Sequence, residues 1–229
     1  MYRIDSFIRV LSRKLLSAKQ REVVIYMGKT LVTSDLHIGH PQKFVCEDRG
    51  FACIEEHDDA LVKKWNSVVE EDDIVYVLGD VMLKHSLNDD NFEYGLNILK
   101  SLKGKIIIIR GNHDSEQKVR LYEQCDNVIS ANQAAMYLKY PEIGGYHFYL
   151  SHYPTLVAHE KLKRMKTALI NLYGHTHQKE HFYKLNDREH PYMYCVCMDA
   201  HDCTPVLMDD IIEEIRKKRE EWYSYSEEL

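Results

Sequence analysis

Lys105-Ile106-Ile107-Ile108-Ile109-Arg110-Gly111-Asn112-His113-Asp114 sets an apolar run directly against a polar turn, and that pairing decides the fold. A short apolar run closed by a glycine reads as a buried β-strand. The arrangement recurs along the chain. Thr30 to Ser34 ends at Asp35-Leu36-His37, Ile74 to Leu78 at Gly79-Asp80, and Leu169 to Tyr173 at Gly174-His175-Thr176-His177. Each strand delivers polar residues from its carboxyl end, where open α/β sheets place ligand sites. Between them, Glu55 to Glu70 carries Ala60, Leu61, Trp65, Val68 and Val69 at helical spacing, and Asn91 to Leu102 is similar. Both predict helices packed on sheet faces, and the whole predicts a layered α/β domain.

Further out, Ala134 to Lys139 and Tyr146 to Leu150, separated by Pro141 and Gly144-Gly145, read as a hairpin. Tyr192 to Cys197 and Pro205 to Met208 read as later strands, and Asp209 to Glu228 as a charged terminal helix. Asp114, followed three residues on by Gln117, resembles a capping box and predicts a helix start. Tyr2 to Arg21 spaces Ile4, Phe7, Ile8, Leu11, Leu15 and Leu16 along one helical face with basic residues elsewhere. This stretch predicts an amphipathic helix docked on the domain, the alternative being a helix that binds anionic lipid or a partner. Two regions are therefore expected: residues 1–26 as an N-terminal amphipathic extension and residues 27–229 as the main α/β domain.

Composition sets the outer limits. With 229 residues and 45% apolar content the chain is long enough for one sizeable core. Its apolar runs fall far short of the roughly 20 residues a membrane span needs. A net charge of -6 argues against a generic duplex-binding protein, since phosphate neutralisation by Lys and Arg supplies that affinity. The first residues lack the pattern of a secretory signal, and the six cysteines show neither zinc-like nor disulfide-framework spacing. A reducing cytoplasm is the expected location.

Five motifs carry the chemistry: Asp35-Leu36-His37, Gly79-Asp80, Gly111-Asn112-His113-Asp114, Ser151-His152 and Gly174-His175-Thr176-His177. Singly each is weak, because D-x-H and H-x-H arise by chance and a Gly-Asp is usually a turn. Together they supply ligands for two adjacent metal ions. Oxygen donors suit hard divalent ions and imidazole favours transition metals, so the mixed set predicts Mn first, with Fe, Zn, Ni or Co as alternatives. A carboxylate shared by both ions, here Asp80, holds them about 3.5–4 Å apart, and water between them becomes the nucleophile for phosphate-ester hydrolysis.

This pattern, D-x-H, G-D, G-N-H-D/E, H and G-H-x-H, resembles the calcineurin-like metallophosphoesterase superfamily over roughly Thr30 to Met208. Cys195-x-x-x-Asp199 with Thr204-Pro205-Val206 further resembles the tail of its small bacterial and phage members. The resemblance implies a four-layer α/β/β/α sandwich with a dinuclear metal site at the strand ends. It also implies one ion on Asp35, His37, Asp80 and His177, and the other on Asp80, Asn112, His152 and His175. By the same resemblance His113 is the catalytic residue, giving a proton or hydrogen bond to the leaving oxygen. His40 and Arg49 are expected to contact substrate, a guanidinium being able to clamp phosphate. Asp114 is expected to cap a helix rather than orient His113, Lys84 and His85 to lie in a solvated loop, and the run Glu55 to Asp59 to support a helix N-terminus.

Subfamily differences narrow the substrate. Protein phosphatases continue the second motif as G-D-x-V-D-R-G, whereas this chain reads Gly79-Asp80-Val81-Met82-Leu83-Lys84. The resemblance thus implies a small phosphodiesterase or phosphatase acting on nucleotide-like substrates. A nuclease acting on single strands or ends is the enzymatic alternative, and a noncatalytic scaffold the alternative of another class.

Overall fold

The computed structural model describes residues 9–12, 23–26, 28–40, 42–82, 90–140, 146–155, 169–185 and 187–227. Two short strands, β1 (Arg9–Ser12) and β2 (Val23–Tyr26), pair antiparallel. The helix expected over Tyr2 to Arg21 is thus corrected at its centre; the rest of that stretch lies outside the described residues. Val23-Val24-Ile25-Tyr26 is all β-branched or aromatic, and such a strand offers residues 9–12 a ladder that outweighs their helical spacing.

The first large sheet contains β3 (Thr30–Thr33), β4 (Ile74–Val77), β5 (Lys105–Ile109) and β6 (Val128–Gln133), all parallel. β12 (Val206–Leu207) closes its edge antiparallel to β3. The central strands β4 and β5 read as near-continuous apolar runs because both faces are covered. Beyond the short α1 (Lys43–Asp48), Val75, Val77, Ile106 and Ile108 face one core with Leu61 and Trp65 of α2 (Ile54–Val68), Phe92 and Leu99 of α3 (Asp90–Ser101), and Val119 and Tyr122 of α4 (Glu116–Tyr122). Ile74, Tyr76, Leu78, Ile107 and Ile109 face the other way, into a core shared with the second sheet.

That second sheet has the order β10 (Phe182–Leu185), β11 (Arg188–Cys195), β9 (Leu169–Tyr173), β8 (Tyr146–Ser151), β7 (Ala135–Tyr140). β7 and β8 form the expected hairpin, while β8, β9 and β11 run parallel. Phe148, Leu150, Ile170, Leu172 and Tyr194 enter the inter-sheet core, joined by Met208, Ile211, Ile212 and Ile215 of α5 (Met208–Glu227). Tyr173, Met193 and Cys195 form a separate cluster on the opposite face. Two sheets and one helical layer of the expected four-layer sandwich are therefore present among the described residues. No α-helix among the described residues contributes to the third cluster, because α5 spends its apolar stripe on the inter-sheet core.

Register brings the polar turns together. Thr33 pairs with Val77 and Val77 with Ile108, while Ser151 pairs with Tyr173 and Tyr173 with Cys195. The strands of each sheet thus end in line, and a lone bridge between Ser34 and Cys197 joins the two sets of ends. No helix among the described residues is long and apolar enough to cross a membrane.

Candidate metal centre

Five of the seven expected ligands stand in left-handed backbone conformations: Asp35 (φ 58°), His37 (49°), Asp80 (55°), His175 (69°) and His177 (49°). Such residues cost on the order of 1–3 kcal/mol each and persist where the surroundings over-determine them. Here the turns bond to one another. Asp35 N–H donates to Gly79 O at 2.9 Å, His37 N–H to Asp80 O at 3.0 Å, and Gly174 N–H to His152 O at 2.9 Å. The approach is so close that a Cβ on Gly79 would lie 2.5 Å from the Gly111 backbone, and one on Gly111 would lie 2.1 Å from Asp80 Oδ1.

Each central carboxylate has one oxygen held and the other aimed inward. Asp35 Oδ2 accepts His175 N–H at 2.9 Å and Cys197 Sγ–H at 3.2 Å, while its buried Oδ1 has no hydrogen-bond partner. Asp80 Oδ1 accepts His113 N–H at 2.9 Å. Its Oδ2 lies 3.9 Å from His37 Nε2 and 3.4 Å from His152 Nε2. Two donor groups converge on this pair of carboxylates, Asp35 with His37 and His177, and Asp80 with His152 and His175. Asn112 Oδ1 joins the second at 2.8 Å from His152 Nε2. All seven expected ligands are therefore brought together, with Asp80 between the groups.

This donor set fits divalent cations. The Nε2 atoms of His37 and His177 face each other at 3.1 Å beside the unpartnered Asp35 Oδ1. A buried acceptor without a donor costs roughly 1–3 kcal/mol, which a cation among these atoms would offset. Burial first, then the nearby His177 and Arg49, holds His37 well below the usual imidazole value, so its neutral ring offers one nitrogen lone pair. Burial raises the Asp80 carboxyl. Burial pulls His177 down, but its bond to Asp199 together with the charges of Asp35 and Asp199 outweighs this and makes it more basic.

Of the two expected substrate contacts, one needs correction. Arg49 has a side chain 1% exposed and donates to Asp199, Asp35 O, Leu36 O and His57. No N–H of its guanidinium remains for a phosphate. His40 is 1% exposed and packs edge-on against His37, its ring pushed down to about 4 by burial and then by His113 and Arg49. It packs against a ligand ring and also lines a pocket with Gln42, Lys43 and Cys46. His113, in contrast, leaves 40% of its side chain exposed, with Nε2 3.8 Å from Asp80 Oδ2.

Asp114 does not cap α4; Ser115 does, accepting Lys118 N–H at 3.4 Å. The Asp114 carboxylate instead receives Asp80 N–H at 2.8 Å, Gly111 N–H at 2.9 Å, Val81 N–H at 3.3 Å and Tyr122 O–H at 3.2 Å, fixing the second and third motif turns together. The sequence reading missed Lys118, whose buried Nζ bonds His113 O at 2.7 Å and Met82 O at 2.8 Å. It missed the site role of Asp199, His57 and Asp58 as well. Glu55 and Glu56 do occupy the first turn of α2, but His57 and Asp58 behind them are buried. Their only sequence signal was polar residues beside an apolar helical stripe. Lys84 and His85 lie outside the described residues.

The calcineurin-like phosphoesterase superfamily domain matches residues 29–190. Over 201 residues the chain is 32% identical to the gene 66 protein of Mycobacterium phage D29, covering 82% of this chain and 96% of the phage protein. It is 38% identical over 98 residues to the uncharacterized protein MJ1445 of Methanocaldococcus jannaschii, covering 42% of this chain and 53%, about half, of the archaeal one. Among solved structures, protein AQ665 from Aquifex aeolicus has a TM-score of 0.56 at 19% identity, over 81% of this chain and 98% of its own, a likeness of fold.

Proposed function

The chain belongs to the calcineurin-like phosphoesterase superfamily, and from that premise we propose that it is a dinuclear metal-dependent phosphoric ester hydrolase acting on small, nucleotide-like phosphodiesters or monoesters. The observation that carries this reading is Asp80, whose Oδ2 stands between two convergent donor groups while His113 lies exposed beside it. Asp35, His37, Asp80 and His177 would hold one divalent ion, and Asp80, Asn112, His152 and His175 the other, with Mn the first choice. When bound, the ions supply Lewis-acid charge to the phosphoryl oxygens and acidify water.

The remaining work falls to the chain itself. Asp80 Oδ1 fixes the His113 amide and Lys118 fixes its carbonyl, so the imidazole is held at the rim by both ends of its own residue. From there it protonates the leaving oxygen. Residues 27–229 would form the catalytic domain, with residues 1–26 as an accessory extension. All six cysteines are free thiols, which suits a reducing cytoplasm.

Mn-loaded protein assayed on bis-p-nitrophenyl phosphate, beside chelated protein, tests the reading, with metal-dependent turnover expected. His113→Ala should retain its metals and lose on the order of 10²-fold in turnover of a dialkyl phosphate, and less with nitrophenolate, which needs little protonation. A protein that binds two Mn ions yet turns over no phosphoester would refute the hydrolase, and an unchanged His113→Ala rate would refute its role.

A further inference from the structure

Arg49 lies at the centre of a buried chain of polar contacts that orients the donor group of Asp35, His37 and His177. Its Nε donates to Asp199 Oδ1 at 3.1 Å and its Nη2 to Asp199 Oδ2 at 2.8 Å, the fork geometry that lysine cannot reproduce. Asp199 Oδ2 in turn lies 2.9 Å from His177 Nδ1. Holding that nitrogen protonated leaves Nε2 as the lone-pair donor facing Asp35 and His37. On its other side, Arg49 Nη2 donates to Asp35 O at 2.7 Å and Nη1 to Leu36 O at 3.3 Å. Nη1 also donates to His57 Nε2 at 2.8 Å, while His57 Nδ1 faces Asp58 Oδ1 at 2.8 Å and Asp58 Oδ2 accepts Gly39 N–H at 2.9 Å.

The turn from Asp35 to Gly39, with positive φ at Asp35, His37 and Gly39, is thus gripped at both ends by one network, which also orients His177. The other donor group touches this turn where Asp35 Oδ2 accepts His175 N–H at 2.9 Å and His37 N–H donates to Asp80 O at 3.0 Å, and it has supports of its own as well. Asp114 bonds the Asp80 and Gly111 amides, and His152 Nδ1 lies 2.8 Å from Leu78 O. Among the described residues, no hydrogen bond runs from Arg49, Asp199 or His57 to Asp80, Asn112, His152 or His175.

We propose that Arg49, through Asp199, is a positioning residue for the ion at Asp35, His37 and His177, so that each ion has a support the other lacks. This inference rests on the dinuclear reading above. Outer partners of metal-binding histidines change affinity by roughly 10–100-fold when replaced, which sets the expected size.

The test titrates Mn into the metal-free full-length chain, reading ions bound per chain by equilibrium dialysis and ion–ion coupling by electron paramagnetic resonance. Wild type should bind two ions and show a coupled spectrum. Arg49→Lys and Asp199→Asn should each weaken one ion by about 10–100-fold, leave the other unchanged, and give the six-line spectrum of isolated Mn. Equal weakening of both ions, or of neither, overturns the proposal. A wild type that binds one ion overturns the dinuclear reading and the inference with it, distinguishably, because the failure precedes any variant. Circular dichroism of the metal-free proteins checks folding; should Arg49→Lys unfold, Asp199→Asn carries the test. Unfolding of both would make the pair a folding element and refute its positioning role.

Discussion

Gly111→Ala would put a methyl group where Asp80 already sits. Its Cβ would lie 2.1 Å from Asp80 Oδ1 and 2.5 Å from the Asp80 amide nitrogen. The amide is fixed by Asp114 and the carboxylate by His113 N–H, so neither yields without breaking a buried bond. To restore ordinary contact the carboxylate must retreat by roughly 1 Å, a misplacement that costs on the order of 10²-fold in rate. Overpacking adds about 1–3 kcal/mol of destabilisation. Gly104→Ala, before β5 starts, is the control: its φ of +93° and a 2.8 Å approach to Val69 Cγ1 predict lost stability far from the motif turns. Turnover of bis-p-nitrophenyl phosphate by Mn-loaded protein, with thermal melts of the metal-free forms, separates the two effects. Gly111→Ala should lose both activity and stability, and Gly104→Ala stability only. Normal turnover and Mn content in Gly111→Ala would refute the placement of Asp80, and equal activity loss in both variants would show that stability alone was being read.

Asp80→Asn should abolish tight binding of both Mn ions, which equilibrium dialysis would report; retention of one at wild-type affinity would end its role between the groups. Chelating the loaded protein should lower its melting temperature, since a site saturated at about 100-fold over its Kd contributes roughly 2.7 kcal/mol. Away from the centre, His181 and Glu214 meet at 2.7 Å. The contact with Glu214 raises His181 above 6.5, so its contribution is full below 6.5 and fades as pH rises through the raised value. Against the push of burial, the same contact lowers Glu214 below 4.5, so its contribution is present above 4.5 and fades as pH falls through the lowered value. The metal-free wild type should therefore exceed His181→Gln in melting temperature most between 4.5 and 6.5, and a margin independent of pH would contradict this.

The strands ending at Asp35, Asp80, Gly111 and Gly174 were legible because each pairs an apolar run with a glycine or acidic turn, a purely local signal. β6 and β10, with sequences VISANQ and FYKL, carry too little apolar pattern to be read alone. Arg49 reads identically in sequence whether it faces solvent or interior. Its partner Asp199 lies 150 residues away, so only folding shows that the guanidinium is spent. Ser115 took the capping role because Asp114 turned inward to amides that the fold alone brings near it.

The lone bridge between Ser34 and Cys197 marks a seam. Asp35, His37, Asp80 and Asn112 follow strands of one sheet; His152, His175 and His177 follow strands of the other. An ion held by ligands from both would act as a rivet through the sandwich, and its release would be coupled to the sheets parting. Reciprocity then requires that parting the sheets weakens ion binding by the same free energy with which the bound ions hold them shut. A core substitution that populates the parted state, such as one at Phe148 between the sheets, would be felt as altered metal retention, making the centre a reporter of how tightly the two halves are shut.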